Sequence, residues 1–138
     1  MKIVVSACLL GENCKYNGGN NCCQKVIDFV KDHEVIPLCP EQMGGLSTPR
    51  QPAEICNGKV VNTEGGSVDA EFRKGASAAL KIALKKGATH AILQQRSPSC
   101  GCKQIYDGSF SKTLIPGKGV FAQLLAEHGI KLMEPEDL

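Results

Sequence analysis

Tryptophan is absent from the sequence, and two tyrosines and four phenylalanines are all the aromatic residues it has. A core built from such a chain has to be aliphatic. A charge excess of either sign is missing too: 16 Lys and Arg stand against 14 Asp and Glu, a formal net charge of +2. That balance predicts neither a nucleic-acid nor a membrane surface, although it leaves room for a small nucleobase as ligand. No run approaches the ~18 apolar residues of a membrane span. The opening "MKIVVSACLLG" has one Lys and a short apolar run, then passes at once into "ENCKYNGGNNCC". It lacks an apolar segment of secretory length and a small-residue cleavage site, so it reads as a first strand and not as a signal peptide. Internal repeats, low-complexity tracts and linkers are also missing. With 138 residues, 42% of them hydrophobic, the expectation is one domain over residues 1–138.

What the chain does have is cysteine, eight in all. Secreted disulfide scaffolds are usually shorter and lack regular helix patterns. Here the α/β patterning and the missing signal predict a cytoplasmic protein, where dense cysteine points to metal binding or reactive thiols.

The pattern runs as follows. "KIVVSAC" is a β-branched strand, and "CQKVIDFVKDH" has helical spacing of Val26, Ile27, Phe29 and Val30. "EVIPLC" is a second strand, and "PEQMGGLSTPRQPAE" has no periodicity and reads as a long functional loop. "EICNGKVVN" carries an Asn-Gly hairpin signal, and "IYDGSFS" a second through Asp107-Gly108. "DAEFRKGASAALKIALKKG" is the clearest helix, with Phe72, Ala76, Ala79, Leu80, Ala83 and Leu84 on one face and Gly87 as its stop. "THAILQQRS" is a third strand, "GVFAQLLAEHG" the last helix and "IKLM" the last strand. This alternation predicts an α/β fold: a mostly parallel, Rossmann-like sheet with helices on both faces and small hairpins in the loops.

In such a sheet the strand ends share an edge, and ligands bind in the crevice there. Cys8 ends the first strand, Cys39 the second, and Cys100 sits in "SPSCG" just past the third. Three cysteines far apart in sequence are thereby expected to converge. Soft thiolates suit zinc, copper(I) or iron–sulfur clusters. The competing reading, that each is a buried small hydrophobe, is weaker for three at strand tips in Gly- and Pro-rich loops. Cys14 would structure the first loop, Cys102 is a weaker ligand candidate, and Cys22, Cys23 and Cys56 read as ordinary core or surface thiols. Three protein ligands with one open position is an arrangement for catalysis, by analogy with zinc.

"SACLLGENCKYNGG", "CPEQMGGLSTPRQPAE", "SPSCG" and "IYDGSF", in this order, resemble the thiouracil desulfurase family. The resemblance runs from near Ile3 to the last helix. It implies a [4Fe-4S] cluster held by Cys8, Cys39 and Cys100, with the fourth iron free for substrate sulfur. It also implies catalytic roles for Glu41 and for Ser97, the first Ser of Ser-Pro-Ser-Cys-Gly. Gln94 stands where members of the family often have Lys. The expected reaction is thiocarbonyl plus water giving carbonyl plus sulfide, without redox change. The expected substrate is a small thiolated base or nucleoside. Two other readings stay open: a zinc or thiol binding or sensor protein without turnover, and a sulfurtransferase carrying persulfide on Cys100. A passive metal module has no need of Glu41 beside Cys39, which favours the first reading.

Among the remaining residues, Gly117-Lys118-Gly119 before a helix reads as a turn more readily than as a phosphate site. Arg50 is placed either to grip an anion or to face solvent. Glu54 would brace its own long loop through backbone bonds or sit solvated. His33 and His128 fit helix C-termini, where the dipole favours them. His90 opens the third strand and has no assigned role.

Overall fold

Strands joined through helices pair in parallel, and the computed structural model, which describes residues 1–138, has that arrangement. In chain order the elements are β1 (Lys2–Ser6), α1 (Gln24–Val30), β2 (Glu34–Leu38), α2 (Pro40–Met43), β3 (Ala53–Cys56) and β4 (Lys59–Asn62). Then come α3 (Asp69–Lys85), β5 (His90–Ile92), β6 (Gln104–Tyr106), β7 (Leu114–Pro116), α4 (Val120–Glu127) and β8 (Lys131–Met133). The main sheet has the order β2-β1-β5-β8, and all its pairings are parallel. The chain leaves β1 toward β2 on one side and returns past it to β5 on the other. The reversal lies between β1 and β5, the place where open α/β sheets bind ligands.

Residue parity decides which face each side chain covers. Ile3, Val5 and Ile92 pack with Val26 and Val30 of α1. Val4, Ala91 and Leu93 pack on the other side with α3 and α4, through Phe72, Ala76, Ala79, Phe121 and Leu125. The core is aliphatic except for Phe72 and Phe121, both buried. Pro37 is tolerated in β2 because that strand is an edge and has a neighbour only on the β1 side. At the β3–β4 turn, Asn57 (φ 52°) and Gly58 (φ 78°) both adopt the left-handed conformation that a two-residue hairpin demands.

The structure departs from the sequence reading in four places. The third strand stops at Ile92, and Gln94–Arg96 leave the sheet. These residues are polar, and Arg96 at φ 61° breaks the extended run. The segment after Cys39 is not wholly irregular: Pro40–Met43 form one helical turn, with Pro at its start and Glu41 in its first turn. Four residues are too few to show periodicity. Leu84 is exposed, while Gly75 joins Phe72, Ala76, Ala79 and Ala83 on the buried face of α3. The second hairpin, β6–β7, closes through residues 107–113 and not through a tight Asp-Gly turn.

Gly75 is buried for a reason. Helix α2 crosses α3 with backbone against backbone: a Cβ on Gly75 would overlap the Pro40 carbonyl oxygen, and one on Gly44 the Glu71 carbonyl oxygen. Farther along, residues after β8 fasten the loop that carries Cys100. Buried Glu134 accepts the Cys102 N–H through Oε2 at 3.3 Å, and Lys103 Nζ meets Asp137 at 2.6 Å and Glu136 at 3.0 Å.

Because both partners at the α2–α3 crossing are backbone, the clash cannot relax through a rotamer. Gly75→Ala is expected to lose about 1–3 kcal/mol in urea denaturation, the range for overpacking. Ser77→Ala, at an exposed position of the same helix, is the control and should stay within about 0.5 kcal/mol of the parent. Equal stability of the two variants would contradict the crossing.

Candidate active site

Cys8 lies in a short 3-10 turn directly after β1, Cys39 caps the N-terminus of α2 directly after β2, and Cys100 lies in the turn that follows β5. All three line one cavity of about 540 Å³. The same cavity is lined by Cys14, Glu41, Ser97 and Ser99. The three strand-end cysteines thus share one cavity, and buried Cys14 adds a fourth thiol to it. Cys22, Cys23, Cys56 and Cys102 do not reach the cavity.

The turn bearing Cys100 is held from behind by α4. The first N–H groups of a helix have no partner inside it. Here Val120 N–H donates to Pro98 O at 2.9 Å, and the N–H groups of Phe121 and Ala122 donate to Ser99 O at 2.9 and 3.1 Å. The donors that a phosphate would use at this helix start are thus committed to the Cys100 turn. Gly119 admits the close approach, since a Cβ there would stand 2.5 Å from Ser99 C. Inside the turn, Ser97 Oγ accepts the N–H groups of Ser99 and Cys100, each at 3.1 Å.

Glu41 is gripped on both oxygens. Arg50 donates to Oε1 from Nε at 3.1 Å and approaches it with Nη2 at 3.0 Å. Ser99 Oγ donates to Oε2 at 2.9 Å. Ser99 has one hydroxyl proton, so its contact with Ser97 Oγ at 3.0 Å is donated by Ser97. The result is a chain from Ser97 through Ser99 to Glu41. Arg50 is neither solvated nor free for an anion: its Nη2 also donates to Cys14 O at 2.9 Å and its Nη1 to Thr48 Oγ1 at 3.0 Å. Its backbone N–H meets Tyr16 O at 2.7 Å, so one residue ties the first loop to α2. Glu54 does accept backbone bonds, but from another loop, the N–H groups of Gly108 and Phe110.

Burial governs the thiols. It pushes Cys100 up to about 12, against hydrogen bonds from Ser6 and Ser99 and with the nearby Cys8 and Glu41 adding to the rise. Cys8 is raised by burial, opposed by the Asn21 amide, whose Nδ2 reaches Cys8 Sγ at 3.5 Å. Cys14 is raised by burial and by the neighbouring Cys39. Cys102 is pushed up to about 12 by burial and by Glu134, outside the cavity.

This donor set fits an iron–sulfur cluster. The thiols are soft, they follow separate strands, and each would take its own iron. A positively charged metal core offsets the burial that otherwise disfavours the thiolates. No three His, Cys, Asp or Glu side chains converge as a single metal ion requires, which speaks against a mononuclear zinc site. A persulfide carrier needs an accessible, low-pKa thiol. Cys100 is 5% exposed with its thiol raised, which speaks against that role.

Two residues escaped the sequence reading. Ser99, fully enclosed, bridges Glu41 and Cys100. Its signal was its place directly before the cysteine. Ser6 accepts the Gln94 N–H at 2.9 Å and hydrogen-bonds the Cys100 thiol. Its signal was a lone hydroxyl at the end of an otherwise apolar strand.

The fold and the site together define a doubly wound α/β protein with a thiol-lined crevice at its topological switch. The chain belongs to the 2-thiouracil desulfurase family, whose model it matches over residues 3–137. It is 38% identical over 146 aligned positions to a Bacillus subtilis (strain 168) protein, YbbK, described as uncharacterized; the match covers 99% of this chain and 97% of that one. Among solved structures it is similar to a [4Fe-4S]-dependent thiouracil desulfidase, TudS. That likeness has a TM-score of 0.94 and 40% identity, and covers 99% of this chain and 92% of the other.

In cluster-free protein at pH 8, a thiol at about 12 is ionised in only about one molecule in ten thousand. Iodoacetamide, which attacks thiolates, is expected to label exposed Cys22 first and the buried Cys14 and Cys100 last, as read by peptide mass spectrometry. Labelling of Cys100 before Cys22 would contradict the described burial.

Proposed function

We propose that this chain, acting as one domain over residues 1–138, removes sulfur from a thiolated nucleobase or its nucleoside, converting thiouracil to uracil plus sulfide. The observation that carries the reading is the cavity at the sheet switch, where three cysteines from three strand ends face a carboxylate held on both oxygens. Cys8, Cys39 and Cys100 would hold a [4Fe-4S] cluster. When bound, the cluster supplies an iron with an open position, a Lewis acid for the thiocarbonyl sulfur.

The chain's own residues do the rest. Glu41 takes a proton from the attacking water at its Oε2 side, and Arg50 keeps the carboxylate aimed by occupying Oε1. Ser99 links Glu41 to Ser97, so a proton has a path of hydroxyls between the carboxylate and the Cys100 turn. Ser97 occupies the far end of that path. The balance is one thiocarbonyl and one water consumed, and one carbonyl and one hydrogen sulfide formed, with no electrons exchanged. The burial that raises the thiols also excludes bulk water, which strengthens every charge interaction in the crevice.

Anaerobic reconstitution with iron and sulfide, followed by sulfide release from 2-thiouracil and 4-thiouracil, tests the reading. Replacing Cys8, Cys39 or Cys100 by Ser should each abolish a stable cluster, because hard oxygen replaces soft sulfur. Cys22→Ser and Cys56→Ser should leave iron content intact. A brown protein that releases no sulfide from either base would instead be a binding or sensor protein.

Chemistry and cluster binding separate at Glu41. Glu41→Gln is expected to keep its iron and lose turnover about a hundredfold, the scale of general acid–base catalysis. Ser97→Ala and Ser99→Ala should also keep iron and lose turnover, by smaller factors. Full turnover in Glu41→Gln would remove this carboxylate from the reaction.

A further inference from the structure

Of the chain's six aromatic side chains, Phe72 and Phe121 fill the core and Phe29 lies exposed beside His33. The other three, Tyr16, Tyr106 and Phe110, line the thiol-bearing cavity. In a molecule so poor in rings, that concentration asks for a cause other than packing. Phe110 is the most telling of the three. It joins neither core cluster. Its backbone sits at φ 57°, in the left-handed region that glycine enters freely and a bulky residue rarely does. The neighbouring Gly108 shows that glycine occurs in this very loop.

Something holds Phe110 in that conformation. Glu54, in β3, is 9% exposed, and its Oε1 accepts the Gly108 N–H at 3.0 Å and the Phe110 N–H at 3.1 Å. A buried carboxylate is thereby spent on two backbone donors of one loop, and its effect is to fix where the Phe110 ring stands over the cavity. A strained residue that the surroundings over-determine marks a place where the side chain is used. A phenyl face offers no hydrogen bond and no charge. What it recognises is a flat ring, by stacking.

We propose that Phe110 is a specificity-determining residue that stacks on the planar base, and that Glu54 is the positioning residue that sets it there. The inference rests on the reading of this cavity as a thiolated-base site and names how that base is told from a non-aromatic thiocarbonyl compound. Stacking favours uracil over 5,6-dihydrouracil, which has the same carbonyls and N–H groups on a puckered ring.

The test is equilibrium dialysis of uracil and 5,6-dihydrouracil against cluster-loaded protein, with melting temperatures on the same samples. The parent protein should prefer uracil. Phe110→Leu and Phe110→Gly should each weaken uracil binding about tenfold and erase that preference. Phe110→Gly should melt no lower than the parent, because glycine relieves the backbone. Glu54→Ala should weaken uracil binding likewise, whereas Glu54→Gln, which keeps an acceptor oxygen, should retain it. Unchanged uracil affinity in both Phe110 variants overturns the proposal, as does a loss that comes with a lower melting temperature in Phe110→Gly. Parent protein that binds neither base overturns it too. Parent protein that binds uracil with this dependence but frees no sulfide from 2-thiouracil breaks the functional reading and leaves the stacking role standing.

Discussion

The crossing of α2 over α3 rests on two missing side chains. Gly44 and Gly75 let the backbones touch, and Gly44 N–H donates to Pro40 O at 3.0 Å across the short helix. That contact sets the depth at which α2 lies, and α2 begins at Cys39 and carries Glu41 in its first turn. From Glu41 the dependence spreads outward. Arg50 reaches Glu41 and, by the same guanidinium, the Cys14 carbonyl, so the first loop takes its position from α2. Ser99 reaches Glu41 from the opposite side, so the Cys100 turn takes its position from it as well. A methyl group at residue 75 would be felt at three loops.

The cavity puts two unlike demands on one place. The thiols there are buried, which disfavours their anionic form, and a carboxylate has to be held in place beside them. The chain meets the second demand with a fork-shaped cation that also donates to backbone carbonyls, a task for which a lysine has no geometry. It meets the first with hydrogen bonds aimed at sulfur: Asn21 at Cys8, and Ser6 at Cys100. Glu41, Arg50, Ser97 and Ser99 each have more than one partner, which cross-links the loops of the site.

Much of this was legible in the residues. Alternating β-branched runs and helical spacing gave away the parallel sheet, and a cysteine at each of three strand ends gave away the pooled thiols. Asn57-Gly58 announced its hairpin correctly. What stayed hidden was decided by contacts across long sequence separations. Nothing local to Arg50 says that it will meet Glu41 and Cys14. Glu54 was read as a brace, and a brace it is, but for a loop 54 residues away. Ser97 drew notice as the first hydroxyl of its motif, while the direct contact with Glu41 belongs to Ser99. The one-turn helix at Pro40–Met43 was too short for periodicity, and Arg96 carried no glycine to warn of its left-handed backbone.

The fastening of the Cys100 loop by Glu134 sets an order in time. During synthesis the chain emerges from its N-terminus, so Cys8 and Cys39 are made first and can meet at the sheet edge early. The Cys102 N–H finds its carboxylate only when residue 134 has followed, 32 positions later. The α4 donors that grip Pro98 and Ser99 also come after the turn they hold. A nascent chain therefore presents two thiols as an unfinished pair for most of its elongation. The third is locked into register only by segments translated after it, so the crevice that pools the three thiols is complete only late in folding.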